Sequence, residues 1–106
     1  MTLFLDGWDD AEGVGNDFDA DLSAFEILIG FYDLSMAYEG YAWVLCRDAA
    51  GQLYEVNGSH CSCFGLEEQW DPDPTSWDYL CSENFPHRDH PEIMAEVRRL
   101  AGRAVE

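Results

Sequence analysis

Apolar residues gather in the middle of the chain. Residues 25–33 are a nearly continuous apolar run rich in Ile, Leu, Phe and Tyr, short and ended by Asp33, which predicts a β-strand. Residues 41–47 predict a second strand and residues 52–57 a third. Between these two, Asp48-Ala49-Ala50-Gly51 supplies turn residues, so they should form a hairpin. Alternation then puts Tyr41, Trp43 and Leu45 on one face with Leu53 and Glu55, and Tyr54 and Val56 on the other. Asn57-Gly58 predicts a break, and residues 59–69 show no clear period.

Further along, Asp71-Pro72-Asp73-Pro74 predicts a rigid acidic connector, because each proline fixes its own φ and turns its predecessor away from helix. Thr75 is the expected N-cap of a short helix to about residue 81, with Asp78 reaching back as in a capping box. Pro91 suits the first position of a longer helix whose apolar stripe is Ile93, Val97, Leu100, Ala101 and Ala104. Glu92 early and Arg98, Arg99 and Arg103 late match the helix dipole. Residues 6–21, rich in Asp, Glu, Gly and Asn, predict an acidic loop or flexible arm. Phe18, Leu22 and Phe25 at helical spacing could close it with a turn. The expected fold is α+β in a single domain of residues 1–106. It is a small antiparallel sheet of about three strands from residues 25–58, with one or two C-terminal helices and the helix from Pro91 packed on one face.

Charge changes this picture. The chain holds 22 Asp and Glu against five Arg and no Lys, a formal charge of −17 over 106 residues. No basic residue precedes Arg47, and four of the five arginines fall in the last nineteen residues. Acidic chains poor in apolar residues stay disordered. Here 47% of the residues are hydrophobic, so the chain is expected to fold. Membrane surfaces and nucleic acids, both anionic, are disfavoured as direct partners. With no long apolar run and no basic-flanked leader, the expected location is a cytosol, where the four cysteines would be free thiols.

Candidate chemistry centres on Ser59-His60-Cys61-Ser62-Cys63. His60, Cys61 and Cys63 could ligate zinc with Cys81, His87 or His90, but structural zinc sites space their cysteines by two to four residues, not one. A Cys–His nucleophile needs a lowered thiol pKa, and the negative field of this chain acts the other way. Asp17-x-Asp19-x-Asp21 fails as a calcium loop, with Leu22 in place of the sixth-position Gly and Leu28 in place of the twelfth-position Glu. The expectation is therefore a binding protein with no cofactor, metal or catalytic residue. Trp8, set among Asp6, Asp9 and Asp10, is either an interface anchor or a side chain folded back onto the sheet.

The run Gly51-Gln52-Leu53-Tyr54-Glu55-Val56-Asn57, then Ser59-His60-Cys61-Ser62-Cys63-Phe64-Gly65-Leu66-Glu67 and Gln69-Trp70, resembles a group of small phage and prophage proteins built around an LYEVN-x-SHCSC-(Y/F)-GLE-x-Q-W segment. The likeness covers residues 41–80 and implies a phage or mobile-element origin, hence the cytoplasm of a host bacterium, but no particular activity. Small acidic phage proteins are often inhibitors of host nucleases, anti-CRISPR proteins among them. Carboxylates there stand where a Lys- and Arg-lined groove expects phosphates. The leading expectation is such an inhibitor, monomer or dimer, whose partner is a basic nucleic-acid-binding protein or CRISPR effector complex of the host. Its contact residues would be Asp6, Trp8, Asp9, Asp10, Asp17, Asp19 and Asp21, then Glu67, Glu68, Asp71 and Asp73. The alternatives are a phage structural or regulatory interaction protein whose charge serves solubility, and a small metal-binding module at His60, Cys61 and Cys63.

Overall fold

The computed structural model describes residues 2–34, 39–60 and 65–104. The chain divides into two compact units, residues 1–74 and 75–106.

The first unit is organised by a mixed sheet in the order β1-β2-β3-β4-β5. Its strands are β1 (Leu3–Asp6), β2 (Glu26–Asp33), β3 (Gly40–Arg47), β4 (Leu53–His60) and β5 (Asp73–Thr75). The α+β class is as expected, with five strands in place of about three. β2, β3 and β4 pair antiparallel in sequence order, and Tyr41, Trp43 and Leu45 face Ser59, Asn57 and Glu55 across the hairpin. Hydrogen bonds from Tyr41 Oη to Asn57 Oδ1 (2.8 Å) and from Trp43 Nε1 to Glu55 Oε1 (3.0 Å) confirm that these side chains share a face. At the turn, Asp48 Oδ1 accepts from the backbone N–H of Ala50 and of Gln52, each at 3.0 Å.

The sequence pattern misses two strands, β5, which takes residues expected to be connector and N-cap, and β1. β1 sits at the other edge of the sheet. It pairs with β2 in parallel, and parallel neighbours need a crossover between them. α1 (Ala11–Phe18) supplies it, inside the segment expected to be a loop or arm. Asp10 caps its start, with Oδ1 accepting from Gly13 N at 2.8 Å, and Asp19 in the left-handed region closes its end. Val14 and Phe18, one turn apart, are fully buried.

Those two residues and Trp8 cover one face of the sheet, against Ile27, Tyr32, Ala42, Val44, Cys46 and Val56, with Leu66 joining from beyond β4. Glycine makes the close approach feasible. A Cβ on Gly30 in β2 would sit 3.0 Å from Phe4 and 3.2 Å from the Trp8 ring, and one on Gly58 in β4 would sit 3.0 Å from Leu66 and 3.2 Å from Phe18. The expected break at Asn57-Gly58 is therefore a strand interior, glycine there serving contact rather than termination. Trp70 meets Phe18 and Phe25 edge-on, at 5.2 and 5.9 Å between centroids. Ile29, Phe31, Trp43 and Leu45, on the opposite face, are also buried.

In the second unit, α2 (Trp77–Leu80) is capped by Ser76, whose Oγ accepts from Tyr79 N at 3.2 Å, one residue later than expected. α3 (Pro91–Ala104) occupies the predicted range. Ile93, Met94 and Val97 on it are buried, as are Leu80 and Phe85 before it.

Because the aromatic cover leaves so little room over the two glycines, Gly30→Ala and Gly58→Ala are each expected to destabilise the protein by about 1–3 kcal/mol. Urea denaturation followed by tryptophan fluorescence measures this.

Candidate functional site

Sixteen of the carboxylates lie in residues 1–74, where Arg47 is the sole Arg or Lys. Arg47 is itself paired with Glu26 at 3.0 Å. The candidate surface is therefore acidic, and the structure divides its carboxylates into two sets by what their oxygens do.

The first set is engaged in the fold. Asp10 caps α1, Asp48 organises the hairpin turn, and Glu55 accepts from Trp43. Asp17 Oδ2 accepts the indole N–H of Trp8 at 2.7 Å, Asp21 Oδ1 accepts from Ser23 N at 2.9 Å, and Glu67 Oε2 accepts from Gly65 N at 3.1 Å. The Ser23 backbone and hydroxyl hold the Asp21 carboxyl below the usual carboxylate range. The second set is Asp6, Asp9, Glu12, Asp19, Glu39, Glu68, Asp71 and Asp73, all exposed and without a side-chain hydrogen bond or ion pair among the described residues.

Of the eleven residues singled out in the sequence, six fall in this free set: Asp6, Asp9, Asp19, Glu68, Asp71 and Asp73. Asp10, Asp17, Asp21 and Glu67 carry structural bonds as well as charge. Trp8 is corrected outright. It is 3% exposed and lies tilted against Tyr32 with centroids 5.0 Å apart, folded back onto the sheet rather than set out as an anchor. Burying a large ring between Gly30 and Tyr32 outweighs leaving it among exposed carboxylates. Glu12 and Glu39 belong to the free set and were missed. A helix read from Asp10 as N-cap and the Val14–Phe18 spacing would have found Glu12 in its first turn.

Two concavities gather parts of the set. Glu12, Asn16, Asp19 and Asp21 line a shallow one on α1. A groove of roughly 800 Å³ at one end of the sheet is lined by Asp33, Glu39, Tyr41, His60, Glu67 and Glu68 among others. Strand ends build this groove, since Asp33 closes β2, Gly40 opens β3 and His60 closes β4. Gln69 ties residues 65–69 over it by accepting from Ser59 N at 2.9 Å and donating to Ser59 O at 2.8 Å. His60 Nε2 lies 2.6 Å from Tyr32 Oη, with its ring across Gly40, where any Cβ would overlap the imidazole.

Backbone conformation separates three members of the free set from the rest. Among the described residues, the non-glycine positions with positive φ are Asp6 (59°), Asp19 (52°) and Glu68 (66°). All three are carboxylates without a side-chain partner.

No family model, curated protein or solved structure matches the chain.

Among the described residues no three His, Cys, Asp or Glu side chains converge as a metal site. Cys61 and Cys63 of the candidate zinc segment lie outside the described residues. Of the other cysteines, Cys81 is exposed and Cys46 is buried. Burial first, and then the charge of Asp48, pushes the Cys46 thiol up from 9.0 to about 12. Burial and neighbouring carboxylates also raise Tyr32 (Asp17 and Glu67) and Tyr41 (Glu55).

Between the unfolded thiol value of 9.0 and the folded value of about 12, the folded chain holds a proton at Cys46 that the unfolded chain has released. Stability is therefore full below that window and is lost as pH rises through it, the raised tyrosines adding in the same direction. The expected result is a urea midpoint that falls with pH across this window, and less steeply in Cys46→Ala. Iodoacetamide at pH 8 is expected to label Cys81 in the native protein and Cys46 only after unfolding.

Proposed function

We propose that the protein is a phage-encoded inhibitor of the anti-CRISPR kind, which binds a nucleic-acid-binding surface of a host defence complex by presenting carboxylates in place of phosphates. What carries this reading is the left-handed trio Asp6, Asp19 and Glu68. At each position glycine would relieve the backbone, and among the described residues the side chain present forms no bond that repays the strain. A charge kept at a backbone cost, in a unit with one arginine, is accounted for by a partner outside the chain.

The electrostatics support the same kind of partner. Duplex DNA carries about one charge per 1.7 Å of axis, and grooves that hold it are lined with Lys and Arg. Asp6 ends β1, Asp9 and Glu12 stand at the start of α1 and Asp19 ends it, in a stretch of chain that carries no cation. Such a run of free carboxylates is suited to a groove of that kind. Their field would also speed the encounter and make binding sensitive to salt.

The test is the triple variant Asp6→Gly/Asp19→Gly/Glu68→Gly. It is expected to unfold at the same urea concentration or higher, because glycine relieves a left-handed strain of about 1–3 kcal/mol per site, which offsets the extra freedom it gives the unfolded chain. It is also expected to lose protection of a phage against CRISPR targeting in a plaque assay in which the parent protein protects. Full protection by the triple variant, or none by the parent, overturns the proposal. The second outcome would leave a phage structural or regulatory protein as the better reading.

A further inference from the structure

We infer that Asp17 is a positioning residue: with Trp8 it forms an indole–carboxylate lock that fixes α1 and so presents the free carboxylates around it. The inference rests on the proposed role of that surface.

Trp8 precedes the N-cap Asp10 by two residues, and Asp17 belongs to the last turn of the helix. The 2.7 Å bond between them therefore spans the length of α1 and ties the segment entering the helix to the turn that ends it. The indole is itself fixed. It lies over Gly30 with no space for a Cβ beneath it and packs against Tyr32 at 5.0 Å and Phe18 at 5.9 Å.

Burial of Val14 and Phe18 holds one face of α1 on the sheet, and the bond adds to a helix whose own propensity is low. It is eight residues long, contains Gly13 and Gly15, and has Asp17 and Asp19 at its C-terminal end, where the dipole favours cations, with no basic residue in the last turn. Isolated helices shorter than about 12–15 residues are marginal even for good helix formers. A bond between a neutral N–H and a carboxylate is stronger than an ordinary one. Asp17 is thus the carboxylate of α1 whose oxygen faces inward to the lock, while Asp9, Glu12 and Asp19 are left to the solvent.

Two measurements test this. In hydrogen exchange, Trp8→Phe keeps an aromatic side chain and every carboxylate but removes the N–H together with the pyrrole part of the indole. It is expected to speed exchange of the α1 amides about ten-fold relative to those of β3. Asp17→Leu should do the same, and Asp17→Asn, which keeps an acceptor oxygen, should restore slow exchange. Unchanged exchange in Trp8→Phe overturns the lock. In binding, an arginine-rich peptide serves as probe of the surface. Asp9→Asn/Glu12→Gln is expected to weaken it about five-fold, on the scale of exposed charge pairs, and Asp17→Asn less than two-fold. Equal losses would make Asp17 a contact charge and overturn its positioning role. If neither variant changes peptide binding, the reading of α1 as a contact surface fails, while the exchange data decide the lock separately.

Discussion

Two aromatic side chains reach the sheet at positions that carry no Cβ, and the first unit depends on that contact. Trp8 lies over Gly30 and Phe18 over Gly58. Fully burying a large apolar side chain contributes about 1.5–3 kcal/mol, against about 0.5–1 kcal/mol for placing glycine inside a strand. The exchange is favourable at each site. It also has a topological effect, because Trp8 and Phe18 flank α1 and their attachment draws the crossover onto the sheet. β1 can then align in parallel beside β2. The acidic segment is held by its aromatics, and its carboxylates follow.

Those carboxylates work against the same contact, and magnitudes decide which prevails. Two exposed charges about 10 Å apart repel by about 0.4 kcal/mol in water, and physiological salt screens most of that. Each aromatic outweighs several such pairs. The fold further reduces the penalty by giving some carboxylates donors: the backbone at Gly13, Ser23, Ala50 and Gly65, the indoles of Trp8 and Trp43, and the guanidinium of Arg47. Nearly all of these donors are neutral groups. The negative charge is therefore hydrogen-bonded in places but stays almost wholly uncompensated by cations.

Legibility in the sequence followed the strength of local signals. β2, β3, β4 and α3 were readable because the apolar runs, the Asp48 turn and the Pro91 start each point one way, and cross-strand bonds at Trp43 and Tyr41 confirm the predicted face. β1 and α1 were not. Leu3-Phe4-Leu5 is too short to carry a period, and its pairing with Ile29, Gly30 and Phe31 is visible only once the chain has crossed over. In α1, Gly13, Gly15, Asn16 and Asp17 depress helix propensity, and tertiary burial of Val14 and Phe18 overrides it. Gly58 misled for a related reason: a glycine required by a distant side chain is written the same way as one required by a turn. At the candidate surface, composition pointed to acidic residues in general. It could not separate Asp17, engaged by an indole nine residues away, from Asp19 two positions on, which is free.

That separation bears on whether the charge is only for solubility. Solubility depends on net charge and is largely indifferent to where each carboxylate stands. A chain under that demand alone would carry its acids where the backbone is relaxed and leave glycine at left-handed positions. Here Gly51 takes one such position, at a φ of 88°, while Asp6, Asp19 and Glu68 take three others. Asp tolerates the left-handed region when its side chain bonds locally, but Asp6 and Asp19 form no such bond among the described residues, and Glu has no comparable preference. A cost attached to particular positions is best matched by a use attached to the same positions. Solubility supplies none, and it is on this ground that we propose a basic surface with charges at fixed places as the partner.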